Sequence, residues 1–108
     1  MISFDDFKKL DMRAGTIMEA EHIEDSDKLM KLLVNLGDEV GERQIIAGIG
    51  KNHVPENVEG RQIIVLVNLE PKKLMGLESE GMLLAAGPEE GPVLLMPENE
   101  VPPGTKIS

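Results

Sequence analysis

The sequence predicts a mainly all-β domain: a small β-barrel with a short N-terminal helix and C-terminal extension strands. Five to six short apolar segments alternate with turns that contain many of the 11 glycines and 7 prolines. One helical turn interrupts these segments, and the chain has no internal repeat. A length of 108 residues fits one domain. We therefore expect an N-terminal helix at 1–10, a barrel at 11–87 and an extension at 88–108.

The N-terminal segment has the pattern of a capped helix. Ser3 is followed three residues later by Asp6, the spacing of a capping box. Phe4 and Phe7 fall on one face of this helix and are the only aromatic residues of the chain. Two roles stay open for that face: it plugs the end of the domain's own core, or it forms a subunit interface.

The first strand is predicted at Asp11–Glu21, with a change of phase inside it. Met12 and Ala14 share one phase, whereas Ile17 falls in the other. Gly15 lies between them, and a phase slip at glycine is typical of a β-bulge that bends a long barrel strand.

The remaining strands follow from apolar periodicity. Residues 30–36 alternate apolar and polar positions, and 43–49 do the same after a charged turn, so the two segments predict a hairpin. Residues 61–69 are apolar on both faces and predict a strand buried on both sides, against appendages of the barrel or a second subunit. Pro55 starts a helical turn at 54–58. The last strands are predicted at 82–86 and 93–96, before a proline-containing tail.

The net charge of −9 argues against nucleic-acid binding over the whole surface. Only residues 43–77 are positive, with five basic and three acidic side chains. Salt screens exposed charges beyond about 8–10 Å, so a local cationic surface can act on an acidic body. We expect modest affinity and few phosphate contacts for such a surface.

Residues 68–86, which we call the join, connect two apolar segments, and the positive region includes the Pro71–Lys73 turn of this join. Pro71 cannot donate to a strand ladder, and Gly76 allows backbone angles that other residues avoid. The join presents lysines beside amide and hydroxyl groups, an arrangement suited to phosphate and ribose oxygens. The alternative is a solvated loop with two surface lysines. The candidate binding side chains of the join are Asn68, Lys72, Lys73 and Ser79.

Several other chemistries lack support. The chain has no cysteine, and its two histidines, His22 and His53, are far apart, so we expect no metal and no cofactor. A nucleotide-hydrolase phosphate loop is excluded because Ile45 and Asn52 replace the residues it needs. No nucleophile–base pair has local support. The absence of a signal-like N-terminus or a long apolar run predicts a cytoplasmic protein with no membrane partner.

Five blocks in this order resemble a known family. They are DMRAGTI (11–17), DKLMKLLV (27–34), RQIIAGI (43–49), the join at 68–86 and VPPGTKI (101–107). Together they resemble the tRNA-binding domain of the methionyl-tRNA synthetase β-subunit or C-terminal type. Free-standing structure-specific tRNA-binding proteins, CsaA-type proteins and endothelial-monocyte-activating polypeptide share this domain. The resemblance implies a five-stranded Greek-key OB-fold barrel, a homodimer with the extension at its interface, and binding of tRNA without catalysis.

The resemblance also assigns roles within the join. Asn68 and Ser79 would bond to ribose or base edges, Lys72 and Lys73 to phosphates, and Met82 would pack under a base or sugar. Four further cations either extend the same surface or make weak surface ion pairs with nearby acids. These are Lys28, Lys31, Arg43 and Lys51. Arg13 is instead predicted to be structural, paired with an acid.

We therefore predict a non-catalytic, structure-dependent tRNA-binding protein that presents tRNA to a synthetase, with methionyl-tRNA synthetase as an expected partner. The chain has no Trp or Tyr, so base stacking on a sheet should not dominate binding. The alternative is a CsaA-type chaperone that binds unfolded polypeptide, since seven Met residues suit varied apolar partners. An enzyme is the third class considered.

Overall fold

The computed structural model describes all 108 residues. Its main sheet has five antiparallel strands in the order β3-β2-β1-β4-β7. The strands are β1 (Met12–His22), β2 (Met30–Asn35), β3 (Glu42–Ala47), β4 (Gln62–Leu66) and β7 (Met82–Leu83). This order and the near-closure of the sheet confirm the predicted mainly β, OB-like barrel.

Two small hairpins and three helical turns complete the chain. The hairpins are β5 (Lys72–Leu74) with β6 (Leu77–Ser79), and β8 (Ala85–Ala86) with β9 (Val93–Leu94). The helical turns are α1 (Phe4–Phe7), α2 (Gly37–Val40) and α3 (Pro55–Val58). The predicted turn that begins at Pro55 is confirmed, and Pro55 occupies its first position, where a missing N–H costs nothing. No helix is long and apolar enough to cross a membrane.

The core confirms the predicted alternation of β2. Met30, Leu32 and Val34 are fully buried, whereas the residues between them are half-buried. In β4 every residue is buried. Ile63 and Val65 belong to the core cluster, and Ile64 on the opposite face is also shielded by this chain alone. No second subunit is needed to bury β4 on both faces.

The extension closes over β1 and β4. The side chain of Gln62 donates to the carbonyl of Val101 at 2.7 Å and accepts from its N–H at 3.0 Å. Beyond the tail prolines, the backbone of Thr105 accepts from Ala14 at 2.9 Å, and Ile107 donates to the carbonyl of Met12 at 2.9 Å. These bonds pair the tail with the first residues of β1, on the side of the strand that β4 does not occupy.

The bulge of β1 is not at Gly15, so that prediction is wrong. The register between β1 and β2 shifts between Ile17 and Glu19, which makes Met18 the extra residue. Gly15 has a different function, because a Cβ there would lie 2.6 Å from side-chain atoms of both Val34 and Leu36. The glycine allows close packing within the barrel rather than a change of phase.

The N-terminal helix is capped as predicted but does not plug the core. The hydroxyl of Ser3 accepts from the N–H of Asp6 at 3.1 Å, and the capping box is complete. Phe4 is 72% exposed, and the core cluster contains neither Phe4 nor Phe7. Their rings stack on each other with centroids 6.4 Å apart. Of the two roles left open, the core plug is therefore wrong, and the exposed ring of Phe4 and the half-buried ring of Phe7 form an apolar face on the surface.

Candidate nucleic-acid interface

The join at 68–86 folds into the β5–β6 hairpin. Its strands pair Lys72 with Ser79 and Leu74 with Leu77, which leaves Met75 and Gly76 as a two-residue turn. Leu74 and Leu77 are half-buried and hold the base of the turn. We name residues 72–79 the cationic hairpin.

Ser79 anchors the cationic hairpin to the barrel. Its side chain is buried, accepts from the N–H of Ile46 at 2.9 Å and donates to the carbonyl of Gly81 at 3.0 Å. Gln44 adds a side-chain bond to the carbonyl of Glu78 at 2.9 Å. The hydroxyl of Ser79 is thus used inside the protein, and its expected contact with ribose or base is replaced by a structural role.

The two lysines of the cationic hairpin are exposed and carry no ion pair. Lys72 and Lys73 take part in none of the four salt bridges, although Lys73 lies opposite Glu78 in the register. Neighbouring residues of a strand point to opposite faces. Lys72 therefore shares its face with Leu74 and Ser79, whereas Lys73 lies on the other face, so the hairpin presents one free cation on each side.

Asn68 fastens the N-terminal segment to the end of β4. Its amide oxygen accepts from the N–H of Asp11 at 2.9 Å, and its amide nitrogen donates to the carbonyl of Lys9 at 2.6 Å. The side chain remains exposed, so one amide hydrogen is free. Asn68 positions the chain that leads into the cationic hairpin, and any contact with a ligand would be additional to this.

The other predicted cations divide into two groups. The Nζ of Lys31 lies 2.6 Å from a carboxylate oxygen of Glu21, which supports the ion-pair alternative for this residue. Arg43 donates to the carbonyls of Val67 at 3.0 Å and Glu80 at 3.2 Å, which closes the barrel between β3 and β7. Lys28 and Lys51 are exposed and have no carboxylate partner. Both remain candidates for phosphate contacts.

A groove on the outer face of β1, β2 and β3 is acidic. Its volume is about 460 Å³, and Lys31 is its single basic side chain. Because Lys31 is paired with Glu21, the groove presents uncompensated carboxylates and disfavours phosphate. This face is therefore less suited to a polyanion than the cationic hairpin is. The lining acids are Glu19, Glu21 and Glu59.

Arg13 is structural, as predicted. Its side chain is 4% exposed and lies on the same face of the sheet as that of Val65, the residue opposite it on β4. The guanidinium donates to Asp11 at 2.9 and 3.2 Å and to Glu39 at 3.1 Å. These hydrogen bonds lower the pKa of both carboxyl groups below their ordinary values and raise that of Arg13.

This cluster predicts acid sensitivity. A carboxyl group whose pKa is lowered in the folded state stabilises the fold above its unfolded pKa, and this stabilisation is lost as the pH falls through the folded value. The ordinary values are 3.8 for Asp11 and 4.5 for Glu39. We expect the free energy of unfolding in urea to fall below about pH 4.5, more steeply in the wild type than in an Arg13→Met variant. Equal slopes for the two proteins would contradict this assignment.

Two further residues bear on the site. Met82 is 45% exposed on β7, opposite Leu66, so an apolar contact there is open. Sequence reasoning missed Met75, which lies at the tip of the cationic hairpin and is 56% exposed. The sequence Leu-Met-Gly-Leu could have indicated Met75, because two leucines that flank a two-residue turn can pair as the last residues of a hairpin. No group of three or more His, Asp and Glu side chains could hold a metal ion.

Comparisons with known proteins agree on one family. A family model described as a putative tRNA-binding domain matches residues 12–106. The methionine–tRNA ligase of Archaeoglobus fulgidus is 50% identical over 106 residues, and that of Methanothrix thermoacetophila is 53% identical over 107. These matches cover 98% and 99% of this chain. The chain spans only 16% of the length of each ligase.

Solved structures give the same result over the whole chain. The chaperone CsaA of Bacillus anthracis is 41% identical with a TM-score of 0.92, and the match covers 100% of this chain and 99% of that one. The MetRS-related protein of Pyrococcus horikoshii is 40% identical with a TM-score of 0.91, covering 100% and 98%.

Proposed function

Because this chain belongs to the tRNA-binding domain family, we propose that it binds folded tRNA through the cationic hairpin and has no catalytic role of its own. The observation that carries this proposal is the pair of exposed, unpaired lysines, Lys72 and Lys73, on a hairpin that buried Ser79 fixes to the barrel. Lys28, Lys51 and Met82 extend the interface, and Asn68 positions the chain beside it.

The mode of recognition follows from what the barrel lacks. Its two aromatic residues lie on the N-terminal helix, so the barrel offers no aromatic platform for stacked bases. Without such a platform, the lysines would contact phosphates of the RNA backbone. Binding then depends on how the folded RNA positions those phosphates. The domain would raise the local concentration of tRNA at a synthetase in the cytoplasm, with methionyl-tRNA synthetase as the expected partner.

A gel-shift titration with a salt series tests this proposal. Intact tRNA and the same tRNA unfolded by heating without Mg²⁺ are compared at several salt concentrations. We expect tighter binding of the folded form. The logarithm of the association constant should fall with log salt at a slope of about −0.9 per phosphate contact in a duplex region. Equal affinity for both forms would remove the shape-dependent part of the proposal.

We further propose a homodimer formed through the extension and the N-terminal helix. Both regions expose large apolar side chains: Phe4 is 72% exposed, Val93 55% and Leu95 43%. A second copy that buried them would remove this apolar surface from water. Two binding modules in one particle would also strengthen weak tRNA contacts.

Sedimentation velocity at micromolar concentration tests the dimer. The wild type is expected to sediment with twice the mass of one chain and Leu95→Glu with the mass of one chain, since a buried unpaired carboxylate opposes association. Val54→Glu is the matched control, because Val54 is 44% exposed at the start of α3, outside both regions. A wild type with the mass of one chain would rule out the dimer.

A CsaA-type chaperone role is the second candidate, since the sequence is 41% identical to that of a protein named as this chaperone. The exposed thioethers of Met82 and Met96 suit apolar segments of an unfolded polypeptide. Salt distinguishes the two functions, because RNA binding weakens steeply with salt whereas apolar capture does not.

A further inference from the structure

The tip of the cationic hairpin carries an unfavourable residue. Met75 and Gly76 have φ values of +53° and +79°, the combination found in a type I′ turn. Such turns favour Asn-Gly, because asparagine tolerates positive φ and glycine has no Cβ to clash. Apart from glycines, only Asp25 and Met75 have positive φ in this protein. Aspartate is enriched there, whereas methionine is not.

Packing of the Met75 side chain within the fold offsets only part of this strain. It is 56% exposed, and a Cβ placed on neighbouring Gly76 would have no atom within 4 Å. The tip of the hairpin therefore stands free of the barrel. An apolar side chain kept in a strained, exposed position indicates a function outside the folded monomer.

The faces of the hairpin indicate the kind of function. Lys72 lies on one face and Lys73 on the other, and both lack a carboxylate partner. Met75 follows Lys73 by two residues, about 7 Å along a strand. A hairpin that docked side-on would use the lysine of one face only. Ser79 holds the base of the Lys72 face on the barrel, whereas Lys72 itself and the tip beyond it are exposed. A cation on each side of an exposed apolar tip suits an element that lies between two phosphate backbones.

We propose that the cationic hairpin inserts tip-first into folded RNA. Met75 packs against a base or ribose inside the RNA, while Lys72 and Lys73 each hold a phosphate of a different backbone segment. This inference rests on the proposed function and names the contacts of the same site. It explains why recognition depends on RNA shape: two backbones must be held at a spacing that a two-stranded hairpin fills.

The test compares four variants with intact tRNA by gel shift and by thermal unfolding. Lys72→Ala and Lys73→Ala are each expected to weaken binding about five- to tenfold, since each removes one charged contact. Met75→Asn should weaken binding about tenfold, because a polar side chain replaces a buried apolar contact, yet raise the melting temperature by a few degrees, because Asn-Gly suits the turn. Met75→Leu keeps an apolar tip and should bind within about twofold of the wild type.

Met18→Asn is the matched control, because Met18 is 48% exposed at the bulge of β1, outside the hairpin. It should not change binding. Insertion is overturned if only one of the two lysine variants loses affinity, or if Met75→Asn binds like the wild type. In both cases a loss in the double lysine variant would leave the proposed function standing. A wild type that does not bind tRNA at all removes the proposed function and insertion together.

Discussion

The double variant Lys72→Glu with Lys73→Glu is expected to show no measurable tRNA binding, while its free energy of unfolding stays within about 0.5 kcal/mol of the wild type. Both side chains are exposed and make no ion pair, so the fold does not depend on them. Each change replaces a phosphate-binding cation by an anion beside phosphate, which adds repulsion to the lost contact. Gel shift and urea unfolding measure the two quantities.

A variant with restored net charge separates the site from the overall charge. Adding Asp38→Lys and Glu56→Lys to the double variant returns the net charge to −9. Both acids are exposed outside the proposed dimer contact and make no ion pair. If location decides binding, the quadruple variant should remain inactive. Recovery of affinity would show that the total charge, rather than the cationic hairpin, controls association.

The strands and helical turns of the barrel could be predicted because each is indicated by residues close together in the sequence. The alternation at Met30, Leu32 and Val34 reports directly which face of β2 is buried, and Pro55 marks a helix start by its missing N–H. The bulge could not be placed in this way. Gly15 is required by the side chains of Val34 and Leu36, which are distant in sequence and meet it only in the closed barrel.

The site could be predicted only in part, for a similar reason. Lys72 and Lys73 could be predicted as exposed because they are adjacent charged residues that follow Pro71 in a turn region. The role of Ser79 depends on the N–H of Ile46, 33 residues away, and the pairing of Lys31 with Glu21 depends on the register of β1 and β2. Such long-range partners decide which polar groups remain available to a ligand.

Arg13→Ala is expected to cause the largest loss of stability, about 3 kcal/mol in urea unfolding and a melting temperature about 10–20 °C lower. Arg13 is 4% exposed and joins Asp11, at the start of β1, to Glu39 on α2. The variant removes three charge-assisted hydrogen bonds and leaves a cavity where the long side chain packed. The same end of the barrel also holds the tail, since the backbones of Arg13 and Lys106 pair there.

Two further variants divide this loss into its parts. Arg13→Met keeps most of the apolar volume but removes the charge. It should leave no cavity, and its free energy of unfolding should be about 2 kcal/mol below that of the wild type. Arg13→Lys keeps the charge without the planar fork that contacts two carboxylates, and it should fall between Met and the wild type. Asp11 and Glu39 are partly exposed and regain water when the guanidinium is lost, which limits the cost. A wild-type stability for Arg13→Ala would show that the buried guanidinium contributes nothing beyond its own desolvation.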